Sequence, residues 1–209
     1  MQIAIIGAGN VGKAVATRWI AARHQVIFGV RTPQPPPAGG PASAAYASVA
    51  DAAASTAVVV LATPWPAVPD ALAAAGDLSG KVLIDCTNPL RADAAGLSLD
   101  TGFTTSGGEQ VAALATGASV FKTLNQTGFD NMQHARGFAP LPACMFVAGD
   151  DEAKKPLVMS LVSDLGFQAI DAGPLRISRL LEPLAMLWIH MALKRGMPAT
   201  RAFALADRV

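Results

Sequence analysis

The sequence predicts an α/β fold: a doubly wound, mostly parallel sheet covered on both faces by helices, with a small C-terminal helical extension. Two observations carry this expectation. Apolar runs of strand length alternate with stretches of helical periodicity along most of the chain. Strands that are apolar along their whole length and separated by helices belong to parallel sheets buried on both faces. In addition, the first apolar run ends in a glycine-rich turn that opens a helix.

The elements follow in order. IAIIG at 3–7 reads as a strand, 11–22 as a helix and VIFGV at 26–30 as a second strand. A loop over 33–41 contains Pro35, Pro36 and Pro37, which exclude helix and central strand. An Ala-rich helix is expected over 43–54, then the strand AVVVLAT at 57–63, a helix over 67–75 and the strand KVLIDCT at 81–87. A long loop then runs to Ser106. Ser106 and Glu109 have the spacing of a capping box, so a helix should start there and run through Ala115. ASVFKTL at 118–124 and ACMFVAG at 143–149 are further strands. Asp150 is placed to cap a helix over 151–165, FQAID at 167–171 is a final strand, and a helix covers 177–195. The expected division is a dinucleotide-binding domain over 1–172 and a helical extension over 173–209, packed on that domain or on a dimer partner.

Composition narrows the class. The chain has 209 residues, 52% hydrophobic and 15% charged, with a net charge of +1, which allows one good core and gives no basic run for nucleic acid or an anionic membrane. The two cysteines, Cys86 and Cys144, lie far apart in apolar runs. Buried free thiols are expected, without a disulfide framework or metal site. The N-terminal apolar run lacks a positive n-region and is interrupted by Gly7, Gly9 and Gly12, unlike a signal peptide. LLEPLAMLWIHMAL at 180–193 contains Glu182, Pro183 and His190, and it is shorter than the roughly 20 apolar residues of a spanning helix. It reads as a buried or interface helix of a soluble, cytoplasmic protein that forms a homodimer.

Gly7-Ala8-Gly9-Asn10-Val11-Gly12 matches GxGxxG at the end of a strand and the start of a helix, the context that gives this motif meaning. Gly7 permits the tight turn, Gly9 lets backbone approach a pyrophosphate, and Gly12 lets helix pack on strand, which is the Rossmann arrangement. The helix N-terminus then offers amides and dipole to the phosphates. About 20 residues beyond the glycines, an acid would bond the ribose 2′-OH of NAD, whereas an arginine accommodates the 2′-phosphate of NADP. Arg31 stands there, between Val30 and Thr32, and no carboxylate occurs in residues 1–50. NADP(H) is the expected cofactor. At the carboxyl ends of later strands, where open α/β sheets bind ligands, stand Ala62, Thr63, Pro64 and Trp65, then Asn88, then Lys122 through Asn125. Each of these is also compatible with ordinary loop chemistry.

The segments GAGNVGKAVATRW, FGVRT, LATPWPAV, GKVLIDCTNPL, VFKTLNQTGFDNM, FVAGDDEAKKPLVMSLVSDLGF and DAGPLRISRLLEPLAMLWIHM resemble, in this order, the deazaflavin (coenzyme F-420)-dependent NADP oxidoreductases. That group includes the cytoplasmic domain of the Steap metalloreductases, and the resemblance covers nearly the whole chain. It implies a Rossmann domain with a small helical C-terminal part, NADP in the glycine loop, and a dimer. It implies that Val30-Arg31, with Thr32 next, takes the place of the family's Ser-Arg type of pair at the 2′-phosphate. It also implies a deazaflavin or flavin-type acceptor lying over the nicotinamide near Trp65, Asn125, Thr127 and Phe129. The loop NQTGFDNM departs from the His-Thr-Ile-Pro type of the archaeal enzymes that use the deazaflavin.

Hydride transfer between stacked rings needs alignment and exclusion of water more than acid–base chemistry. That suits a chain with three histidines, none in an obvious catalytic setting. Lys122 and Asn125 are the candidate catalytic pair, because lysine with asparagine serves carbonyl reduction in β-hydroxyacid dehydrogenases; binding of backbone and ribose is the alternative role. Three further readings stay open: an NADP-binding redox sensor without turnover, a small keto-acid reductase, and a flavin or metal reductase.

Overall fold

The structure, a computed structural model, describes residues 1–33, 40–94 and 96–208. The triple proline of the expected 33–41 loop lies outside the described residues. Ten strands and seven α-helices follow one another: β1 (Gln2–Ile6), α1 (Asn10–Ala21), β2 (Gln25–Val30), β3 (Ala45–Ser48), α2 (Val49–Ala54), β4 (Val58–Leu61), α3 (Val68–Ala75), β5 (Val82–Asp85), β6 (Leu90–Asp93), β7 (Gly96–Leu99), α4 (Gly107–Leu114), β8 (Ser119–Lys122), α5 (Phe129–Gln133), β9 (Cys144–Gly149), α6 (Lys155–Leu165), β10 (Gln168–Gly173) and α7 (Ser178–Lys194).

Eight strands form one sheet in the order β10-β9-β8-β5-β4-β1-β2-β3, and the run from β3 to β8 is parallel throughout. This is the doubly wound Rossmann order, with the winding reversing beside β1. β9 turns antiparallel to β8 and carries β10 parallel to itself. The strands are apolar on both sides because each side has its own core. On β1, Ile3 and Ile5 enter one core with Val15, Trp19 and Phe28, while Ala4 and Ile6 enter the other with Val49, Leu61 and Leu72. Trp19 sits at 0% exposure and its indole N–H donates to the Leu161 carbonyl at 2.9 Å, tying α1 to α6.

The expected helix over 43–54 is only half a helix. Ala45–Ser48 pairs in parallel with Ile27–Val30, closing the open edge of β2, and the Tyr46 ring stacks on Phe28 with centroids 5.2 Å apart. Ladder bonds along β2 outweigh the alanines' own helical preference. Ser48 then caps α2 by accepting the Asp51 N–H. The long loop before Ser106 contains a hairpin, β6 paired antiparallel with β7. Asp150 does not cap a helix: its carboxylate accepts the Leu175 N–H at 2.9 Å, while Asp151 accepts from Lys154 and α6 begins at Lys155, ahead of Pro156. The capping box at Ser106 is present as expected, with the hydroxyl donating to the Glu109 carboxylate at 2.7 Å and accepting the Glu109 N–H at 3.2 Å. Cys86 and Cys144 are buried free thiols. Among the described residues no helix is long and apolar enough to cross a membrane.

Candidate functional site

The glycine turn lies between β1 and α1, where three glycines do three different jobs. Gly7 has φ +112°, and a Cβ there would stand 2.5 Å from the Ala62 carbonyl oxygen. A Cβ on Gly12 would strike the Gly7 carbonyl oxygen, so α1 packs against the turn only as glycine. Gly9 is the opposite case, since a Cβ there would meet nothing within 4 Å. Its open face looks into free space beside the first turn of α1. No side chain caps that helix and no acid occupies its first turn, so its amides and dipole remain available to an anion.

A cleft of about 750 Å³ opens at this point. Gly7, Ala8 and Gly9 form its floor, Val30, Arg31 and Thr32 one side, and Ala62, Thr63 and Pro64 the other. Nine of the residues singled out from sequence therefore converge. Asn10, Val11, Gly12 and Asn88 do not line it. Arg31 is exposed and makes no ion pair among the described residues. The Thr63 hydroxyl is buried without a hydrogen-bond partner. The fourth wall was not legible in the sequence. It is the face of α3 and the turn before it, where Ala67, Asp70, Ala71 and Ala74 follow at i, i+3, i+4 and i+7. That spacing marks a face, but not which neighbour the face meets.

Lys122 does not reach this cleft. Its ammonium has 0% exposure, donates to the Thr87 carbonyl at 2.8 Å, and forms ion pairs with the Asp85 carboxylate at 2.6 Å and the Glu182 carboxylate at 3.0 Å. Burial alone would lower its pKa, but the two carboxylates more than offset this and hold it above the ordinary 10.5. Glu182, on α7, also accepts the N–H groups of Gly107 and Gly108, both at 2.9 Å. It is thus an anion set on the N-terminus of α4 from the far end of the chain. The two glycines allow the approach: a Cβ on Gly108 would stand 2.6 Å from the Ser178 hydroxyl, and one on Gly107 3.2 Å from the Trp65 ring. Asp85 in turn accepts both the Thr87 N–H and its hydroxyl, at 2.8 and 2.7 Å. A paired arginine, Arg179, adds a bidentate bond to Glu109 at 2.8 and 2.6 Å. The candidate catalytic lysine thus lies in a buried ion cluster with Asp85 and Glu182 rather than on the wall of the cleft.

Asn125 is engaged in the same way. Its amide N–H groups reach the Asn88 side-chain oxygen at 3.0 Å and the Leu181 carbonyl at 3.4 Å. Its side-chain oxygen accepts from Gln126 at 3.0 Å, and Asn88 returns a bond to its backbone carbonyl at 2.8 Å. Gln126 then pairs with both backbone groups of Phe146, at 3.1 and 3.0 Å, acting as a strand partner for β9 beyond the end of β8. Thr127 accepts from Asn131 at 2.7 Å, and Asn131 and the Trp188 indole both donate to the Arg201 carbonyl, at 2.9 and 2.8 Å. Of the expected acceptor-side residues, Trp65 remains half-buried beside α4 and Phe129 is 45% exposed. The histidines stay clear of the cleft: His24 is half-buried, with a 2.9 Å contact to Asp164, rather than exposed, and His134 and His190 are exposed.

Comparison with known proteins agrees with this geometry. Residues 2–89 match the family described as NADP oxidoreductase, coenzyme F-420-dependent. The crystal structure of a candidate F-420-dependent NADP reductase from Arthrobacter sp. FB24 is 34% identical, with a TM-score of 0.90, covering 99% of this chain and 100% of that one. A hypothetical protein from Sinorhizobium meliloti is 27% identical with a TM-score of 0.77, over 87% of this chain and 90% of its own. A reductive aminase from Aspergillus terreus, solved with NADPH, shares the fold at 23% identity and a TM-score of 0.64, over 95% of this chain and 68% of that one. The rat metalloreductase STEAP3 is 25% identical over 89% of this chain, which spans only 37% of that protein.

The buried network yields a stability prediction. Lys122→Met leaves the Asp85 and Glu182 carboxylates without their cation and should cost about 3–5 kcal/mol in urea unfolding. Because the ammonium is held above its ordinary pKa, its contribution is complete below pH 10.5 and is lost as pH rises through the folded value. The wild-type minus Lys122→Met difference should therefore shrink in alkali. A difference that stays constant as pH rises well above 10.5 would contradict the assignment.

Proposed function

Because the chain belongs to the coenzyme F-420-dependent NADP oxidoreductase family, we propose that it is an NADP(H)-dependent oxidoreductase exchanging a hydride with a deazaflavin or flavin-type acceptor. The observation that carries the reading is the cleft at the carboxyl ends of β1, β2 and β4, with Arg31 on its wall and in no ion pair among the described residues. The residues present fit the dinucleotide. Gly9 leaves free the space that any side chain would fill, and the Thr63 hydroxyl is a buried polar group without a partner. In this reading, the backbone of Gly7, Ala8 and Gly9 and the first turn of α1 hold the pyrophosphate. Arg31 and Thr32 hold the 2′-phosphate, and Ala62, Thr63 and Pro64 flank the nicotinamide ribose.

When bound, NADP(H) supplies or accepts the hydride; the side chains need only align the rings and keep water out. Trp65 and Phe129 offer aromatic surface for an acceptor ring. Asn125 and Thr127 fix the loop that leads into Phe129 through their amide and hydroxyl bonds. Keto-acid reduction is disfavoured by the burial of Lys122 between Asp85 and Glu182.

The outward stripe of α7 supports the expected homodimer. Leu180 and Leu187 are exposed at 64% and 51%, and Leu184 and Met191 continue the same row at i+4 and i+11 from Leu180.

Three measurements test these readings. Arg31→Ala should remove most of the preference for NADPH over NADH, a loss of about tenfold or more in relative affinity. Equal affinity for the two dinucleotides in the parent protein would refute the role of Arg31. In a panel of F-420, FMN, FAD, a ferric chelate and keto acids, NADPH absorbance at 340 nm should fall with the deazaflavin or a flavin. No oxidation by any of them would favour a sensor without turnover. Light scattering at micromolar concentration should read a dimer, and a monomer there would exclude the α7 pairing.

A further inference from the structure

Asp70 stands on a wall of the cleft, where the sequence offered no acid. It comes from the first turn of α3, roughly forty residues beyond the arginine of the opposite side. Along that face Ala67, Ala71 and Ala74 give a flat apolar surface, and Val30 and Val49 supply apolar groups elsewhere in the lining. Among the described residues, Arg31 and Asp70 are the two charged side chains that line the cleft. Asp70 is exposed and has no hydrogen bond or ion pair among the described residues. An acid in the first turn favours the helix through its dipole wherever on the turn it stands. That benefit does not explain why the acid is on the cleft face.

The layout of a dinucleotide assigns the place. With the pyrophosphate over Gly9 and the adenosine 2′-phosphate at Arg31, the base extends away from α1, between the end of β2 and the α3 face. A flat purine fits an apolar slot of this kind, and its polar edge must then meet the polar group on the wall. We propose that Asp70 reads the base, accepting a hydrogen bond from the exocyclic amine of adenine. This rests on the NADP(H) reading of the cleft. A carboxylate has acceptors only, so it favours the 6-amino group of adenine and opposes the 6-carbonyl of hypoxanthine.

The test titrates three reduced dinucleotides, NADPH, NADH and nicotinamide hypoxanthine dinucleotide phosphate, into the full-length protein and into Asp70→Asn and Asp70→Ala. Calorimetry gives the affinities, and thermal unfolding confirms that each variant is folded. The parent should bind NADPH more tightly than its hypoxanthine analogue by roughly tenfold or more, the size of one hydrogen bond to a charged group made or lost. In Asp70→Asn, whose carboxamide can donate as well as accept, the two should bind alike. In Asp70→Ala they should also bind alike, with weaker NADPH binding than in the parent. The NADPH-to-NADH ratio should not move in either variant. A role confined to helix stability would lower the melting temperature and leave every ratio unchanged, which overturns the proposal. A rise in the NADPH-to-NADH ratio in Asp70→Asn would put the carboxylate beside the 2′-phosphate and overturn it too. A parent that binds none of the three overturns the cofactor reading itself, a result distinct from either.

Discussion

One buried ammonium organises the carboxyl-end face of the sheet. Lys122 sits at 0% exposure between carboxylates from β5 and α7, and the same Glu182 carboxylate caps α4. Removing three charges from water carries a large desolvation cost, offset only where geometry and hydrogen bonds are complete. Here the ammonium and the helix N-terminus together compensate the two acids. The consequence is positional. Strands β5 and β8, the start of α4 and the body of α7 are tied to one point, and Trp65 rests against Gly107 at that point.

From α7 the constraint passes to the chain's last residues. Trp188 covers Gly128 so closely that a Cβ there would stand 2.9 Å from the indole, and its N–H holds the Arg201 carbonyl. The tail then returns to the sheet, where the Phe203 carbonyl accepts the Cys144 N–H at 2.8 Å. With Gln126 paired to Phe146, every exposed step of β9 beyond β8 thus gains a partner from a side chain or the tail. The amides of Asn88, Asn125, Gln126 and Asn131 are committed to this scaffold. What faces the cleft is mostly backbone and small side chains, with Arg31 and Asp70 as the charged side chains among the described residues. Such a surface can hold and align a dinucleotide, and it supplies little acid–base chemistry of its own.

Local signals were reliable where local physics decides. The glycine turn, the Ser106 capping box and the continuous apolar strands were legible because a positive φ, a satisfied N-terminus and burial on both faces each demand particular residues at fixed spacing. Ala45–Ser48 was misread because four small or aromatic residues have no strong preference of their own, and the open edge of β2 made them a strand. The hairpin of β6 and β7 was missed because LRAD and GLSL lack a clear alternation. Lys122 and Asn125 looked catalytic in sequence because residue type and nearness to a strand end say nothing about which side chains fill the space around them.

The sequence by itself determined the doubly wound class, the nucleotide turn and the arginine after β2, since each follows from contacts made within a few tens of residues. Only the tertiary structure decided that Lys122 is locked between Asp85 and Glu182, and that α3 turns Asp70 toward the cleft. Those outcomes depend on which elements pack against one another, and the choice among partners for a buried charge is made by three-dimensional packing, which no local pattern encodes.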